Sequence, residues 1–144
     1  MNLTEKLNVY LANQTLMYTK LHNLHWYVVG PSFFTLHERF EELYDETTEI
    51  IDEVAERMLA LEMKPVGSLK AVLDLATIKE LPDQDINSKD AVTLLASDFE
   101  TIIADTKELM ELAEKEDDIV TADILTGYLE KYQKTMWMLK AYLR

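Results

Sequence analysis

The chain carries three histidines and no cysteine. Metal or acid–base chemistry must therefore come from imidazole and carboxylate, and a thiolate nucleophile, a Cys-ligated zinc site or an iron–sulfur centre is excluded. His25 and His37 stand twelve positions apart on either side of Gly30-Pro31. Glu41 follows His37 by four positions, on the same face of a helix. Asp52 and Glu56 form a second i, i+4 acidic pair. Two imidazoles with carboxylates and no sulfur suit a divalent transition metal, iron or manganese foremost, although affinity order also admits zinc. From residue types alone the histidines would more often be bundle-end residues than ligands, and Asp52 with Glu56 ordinarily a solvated face near Arg57.

Spacing constrains how such a set could meet. His37 and Asp52 are fifteen positions apart, about 22 Å along one helix at 1.5 Å per residue, so one chain cannot hold a single ion with both. Fifteen steps bring the two pairs onto nearly adjacent faces, about 60° apart. If two copies of this helix cross antiparallel about a two-fold axis near residue 46 or 47, the His37 end of one meets the Asp52 end of the other. That yields two equivalent shared sites. A di-metal centre inside one bundle would use Glu-x-x-His motifs. None exists here: the residues three before His22, His25 and His37 are Thr19, His22 and Phe34.

The elements that must position these groups are helices. Of 144 residues, 48% are hydrophobic and 28% charged, with only 3 Gly and 3 Pro, so long helices are allowed and a turn-rich β sandwich is not expected. Apolar residues at helical spacing predict helix A from Leu3 to the Gly30-Pro31 turn and helix B over about 34–62. Ser32 and Thr35 are both N-cap candidates for helix B, Thr35 forming a capping box with Glu38. Lys64-Pro65 ends that helix, and the segment to Asn87 holds one short amphipathic piece, Leu69 to Leu75. Ser88 is expected to cap helix C, which ends at the acidic break Glu114 to Asp118; helix D follows over 119–143. The fold expected is all-α: one domain over 1–144, a ferritin-like four-helix bundle with one long B–C crossover carrying a short helix. Trp26 is by default a packing residue at the A–B corner, and Trp137 and Met138 are placed in the core. His22 is read as surface or near-site rather than a ligand. No Met is positioned as a haem ligand, so haem is not expected.

Charge and targeting narrow the partners. Fourteen Lys+Arg against 27 Asp+Glu leave a net charge of −13, which repels phosphate backbones. No basic n-region precedes an apolar stretch at the start, and no apolar run approaches the roughly 18 residues of a membrane span. A cytoplasmic protein without membrane contact is expected.

The segment LHNLHWYVVGPSFFTLHERFEELY followed by DEVAERMLAL, with its His-x11-His-x14-Asp-x3-Glu pattern, resembles the Dps family of mini-ferritins, especially its Gram-positive peroxide-resistance members. The resemblance covers essentially the whole chain. It implies a homo-dodecameric cage built from two-fold dimers that oxidises Fe(II), preferably with hydrogen peroxide, and stores non-haem ferric iron. By position it implies ferroxidase ligands His25 and His37 from one subunit and Asp52 and Glu56 from its dimer mate. The family usually has Asp where Glu41 stands here, so a carboxylate survives one methylene longer. Trp26 would lie near the iron as an electron donor. Within the acidic cluster around the C–D turn, Glu114, Asp118 and Asp123 are candidates for a cation-conducting pore, with Ile119 replacing another acidic position. The alternative, a DNA-compacting architectural protein, also draws on the family's name. Family members that coat DNA commonly do so with Lys/Arg-rich tails, whereas here only Lys6 precedes the body of helix A and the chain stops at Arg144.

Overall fold

A computed structural model describes residues 1–144. Asn2 starts α1 (Leu3–Tyr27) by accepting a hydrogen bond from the Glu5 amide at 2.9 Å. Then follow β1 (Val28–Val29), α2 (Phe33–Ala60), α3 (Leu69–Leu75), β2 (Ile86–Asn87), α4 (Ser88–Lys115) and α5 (Ile119–Leu143). The all-α expectation holds, and the short helix of the crossover lies where the amphipathic piece predicted it. The exceptions to the helical rule are two residues each of β1 and β2, paired in parallel with Val28 opposite Ile86 and Val29 opposite Asn87.

Side-chain pairs set the directions of the helices. Lys6 reaches Asp105 while Lys20 reaches Asp98, so α1 and α4 are antiparallel. Arg39 meets Thr135 while Arg57 meets Thr121, so α2 and α5 are antiparallel too. With His25 against His37 and Tyr18 against Tyr44, α1 also opposes α2. It follows that α2 and α4 run the same way, and the chain between them must return along helices about 40 Å long. Side chains of α1 hold that return path. Asn8 bonds the Lys64 carbonyl and the Val66 amide, and Asn13 bonds the Thr77 and Ile78 amides. Lys20 donates to the Lys79 carbonyl at 2.6 Å, and Asn23 to the Pro82 carbonyl. These polar clips satisfy crossover groups that have no ladder of their own.

A cluster of 28 buried apolar residues draws on all four long helices and includes Tyr10, Leu21, Phe40, Met58, Leu95, Ile102 and Leu125. Its tyrosine hydroxyls meet buried polar side chains: Tyr10 pairs with Thr106 at 2.9 Å, and Gln14 donates to the Tyr132 hydroxyl at 2.8 Å. Trp137 and Met138 are not in it. They are 62% and 37% exposed, because α5 turns Tyr132, Met136 and Leu139 inward and leaves residues 137 and 138 on the outer stripe.

The helix ends differ from expectation in detail. α2 starts at Phe33, so Ser32 is its N-cap, though without a side-chain cap bond, and Thr35 with Glu38 lies inside the helix rather than forming a capping box. The N-cap of α4 is Asn87, whose oxygen accepts from the Asp90 amide at 2.9 Å. Ser88 instead turns its hydroxyl to the Val29 carbonyl at 3.2 Å. Helices α2 and α4 both end in a left-handed residue that is not glycine, Glu62 (φ 61°) and Asp117 (φ 56°). The amides that follow bond back five residues, Met63 to the Met58 carbonyl and Asp118 to that of Ala113, the six-to-one closure of a Schellman cap.

Candidate metal centre

The corner between α1 and α2 is built by its backbone. Gly30 adopts φ +111°, a region glycine enters without strain, and this lets the chain reverse within the segment 28–32. The β1–β2 pairing and the Ser88 hydroxyl fix the strand just after His25. His25 Nδ1 lies 2.6 Å from the His37 carbonyl, and His37 Nδ1 lies 2.7 Å from the His25 carbonyl. A carbonyl can only accept, so both Nδ1 atoms carry hydrogen, and in each neutral ring Nε2 is left with the lone pair. This is the orientation a metal-ligating histidine normally owes to a neighbouring acceptor. Here each histidine supplies that acceptor to the other, and the His37 ring also satisfies a carbonyl at the C-terminal end of α1.

Stacking completes the clamp. The two imidazoles lie 3.7 Å apart and 11° from parallel, with Phe33 stacked 5.0 Å beyond His37. Tyr44 sets its ring edgewise to His25 at 5.4 Å. His25 is 6% exposed and His37 is partly exposed. Glu41 is close: its Oε1 lies 3.8 Å from His25 Nε2 and 3.4 Å from the Tyr44 hydroxyl.

Asp52 and Glu56 present a contrast. Both are exposed on α2, and neither forms a hydrogen bond or an ion pair within the chain. Arg57, the expected neighbour, turns away to Asp118 at 2.9 Å and Thr121 at 3.0 Å. His25 is brought against both His37 and Glu41, but no three His, Asp or Glu side chains assemble into a metal-binding group within one chain, and Asp52 and Glu56 stay apart.

The remaining candidates fall as follows. Trp26 is 65% exposed rather than packed into the corner, and its ring meets His22 at 5.3 Å. Glu114 and Asp123 are exposed. Asp118 is occupied structurally, since it caps α5 through the Thr121 amide at 3.0 Å and also pairs with Arg57. Burial opposes its charge, but the bonds from Thr121 and the Arg57 guanidinium outweigh this and hold the carboxyl below its usual value. Sequence reasoning missed Tyr18, Phe33 and Tyr44 around the site. The i, i+3 spacing of Glu41 with Tyr44 and the i, i+4 spacing of Tyr18 with His22 were the available signals.

A four-helix bundle with one full-length crossover and imidazole–carboxylate groups at one end defines the ferritin-like class, and the model of the ferritin-like domain matches residues 4–144. "DNA protection during starvation protein 2" of Bacillus anthracis is 44% identical over 139 residues, covering 96% of this chain and 94% of that protein. The crystal structure of Dps from Staphylococcus aureus superposes with a TM-score of 0.95 at 41% identity, covering 99% of this chain and 95% of that one. A Dps protein from Vibrio cholerae, described as a member of a broad superfamily of ferritin-like diiron-carboxylate proteins, is 34% identical with a TM-score of 0.94 and covers 99% and 89%. The chain belongs to the ferritin-like family, in its Dps branch. No helix is long and apolar enough to cross a membrane.

Proposed function

We propose that this chain oxidises Fe(II), with hydrogen peroxide as the preferred oxidant, and stores the product as ferric mineral inside a dodecamer built from two-fold dimers in the cytoplasm. The observation that carries this reading is the reciprocal hydrogen bonding of His25 and His37. It leaves Nε2 as the free nitrogen of each ring, at a corner where only one carboxylate of the same chain is near. Asp52 and Glu56 of a dimer mate supply the missing oxygen ligands, and their lack of partners within the chain leaves them free to do so.

Iron is the substrate here. Two Fe(II) ions each give one electron, and peroxide accepts both as its O–O bond breaks to oxygen at the level of water, so hydroxyl radical is not released. Histidine nitrogens and carboxylate oxygens hold the ions, and the carboxylates favour the higher charge of the ferric product and accept protons from iron-bound water. The electron transfer itself belongs to iron and peroxide. The acidic surface supports cation attraction and disfavours DNA coating.

Anaerobic Fe(II) titration followed by peroxide tests the reading. Saturable Fe(II) uptake, then rapid ferric absorbance with about two Fe(II) consumed per peroxide, is expected. Absence of saturable Fe(II) uptake would overturn it, as would retardation of linear DNA at about 150 mM salt in place of iron chemistry.

A further inference from the structure

The Tyr44 hydroxyl is the one side-chain hydrogen-bonding group outside the candidate ligand set that reaches it, and the ring is held from several sides. His22 stacks on it at 3.8 Å and 17°, and the His22 ring is itself fixed by an Nδ1–H bond to the Tyr18 carbonyl at 2.8 Å. Tyr18 approaches edgewise at 6.1 Å and His25 at 5.4 Å. The hydroxyl is thereby aimed along α2 at Glu41, one turn earlier. An ionised carboxylate can only accept, so the Tyr44 hydroxyl is the donor of this contact.

The geometry points to Tyr44 as a positioning residue: braced by His22, it aims the Glu41 carboxylate at the ion that His25 binds. The inference rests on the function proposed above. Glu41 Oε1 is 3.8 Å from His25 Nε2. An ion with bonds of about 2.1 Å to nitrogen and to oxygen spans up to roughly 4.2 Å between them, so one ion can take both atoms with little movement of either. The same Oε1 lies 3.4 Å from the Tyr44 hydroxyl, beyond the roughly 2.5–3.0 Å of a tight O–H···O bond. That contact directs the carboxylate without committing its lone pairs. Glutamate at this position has one more rotatable bond than aspartate, and an ordered tyrosine beside it limits that extra freedom.

Co(II) alone, added anaerobically, is the probe, read by its visible absorption and its dissociation constant. Tyr44→Phe keeps the ring stack and removes only the hydroxyl. The expected result is a changed visible band and affinity weakened by about tenfold, the lower end of the effect of losing an outer-shell partner. Glu41→Gln should weaken binding at least as much, and Tyr44→Phe/Glu41→Gln no further than Glu41→Gln alone, because Tyr44 acts only through Glu41. Wild-type affinity and band in Tyr44→Phe would overturn the inference, as would full additivity in the double variant. A wild-type protein that binds no Co(II) would instead overturn the site proposed for iron, and this inference with it.

Discussion

At the corner where α1 meets α2, two imidazoles are tied to backbone carbonyls, stacked on each other and flanked by Phe33 and Tyr44. About four turns farther along α2, Asp52 and Glu56 stand in solvent without a partner in their own chain. The first region is preorganised: ring tautomer and orientation are set before any ligand arrives, which lowers the entropic cost of binding. The second is open, and two adjacent free carboxylates on one helix face await something brought to them. On the function proposed, a site divided this way depends on association of chains as well as on folding.

The largest effect expected from this contrast is at the corner. His25→Gly/His37→Gly should reduce fast Fe(II) oxidation by far more than the tenfold typical of outer-shell losses. It should also lower thermal stability, since the buried His25 and two cross-corner hydrogen bonds worth about 0.5–1.5 kcal/mol each are lost. Circular dichroism melts and peroxide-driven ferric absorbance read the two effects. A variant with unchanged melting would show that the clamp is not structural.

Asp52→Ala/Glu56→Ala should cost comparable activity and almost no stability of the metal-free protein, within about 0.5 kcal/mol for exposed side chains without partners. A melting shift as large as that of the histidine variant would erase the difference between the two regions.

Arg57 lies beside Glu56 yet is tied to α5, and its effect is on stability alone. The Asp118 carboxyl it faces is held below its ordinary value of 3.8 in the folded chain. The contribution is therefore present above that value and is lost as pH falls through the lower folded value. Arg57→Ala should cost about 1 kcal/mol near neutral pH, and its gap from wild type should close in urea titrations carried below pH 3.8. A gap that persists undiminished in acid would assign Arg57 a packing role alone.

Periodicity was enough to place α3 and the start of α5, because apolar spacing and the Lys64-Pro65 and Asp118 boundaries act locally. Side-chain capping was less legible. Asn87 and Ser88 are both good caps, and only the β1–β2 pairing, which draws the Ser88 hydroxyl to Val29, decides between them. Exposure of Trp137 was misjudged because hydrophobicity alone does not say which stripe of α5 faces inward. The clips from Asn13 and Lys20 to residues 77–79 span about 60 positions and leave no local pattern. For the site, residue types and the Gly30-Pro31 reversal placed His25 near His37. The exchange of carbonyls between them depends on backbone geometry and cannot be read from spacing.

The central claim is that each site joins His25 and His37 of one chain to Asp52 and Glu56 of another, and mixing two disabled proteins tests it most directly. A His25→Gly/His37→Gly subunit still offers its carboxylates, and an Asp52→Ala/Glu56→Ala subunit still offers its histidines. In a mixed two-fold dimer one site is whole and the other lacks all four groups. Equal random mixing gives about half mixed dimers with one of two sites intact, so the refolded mixture should recover roughly a quarter of wild-type fast oxidation, while each variant alone shows almost none. A mixture as inactive as its components, with mixed dimers confirmed by mass spectrometry, would contradict the shared site.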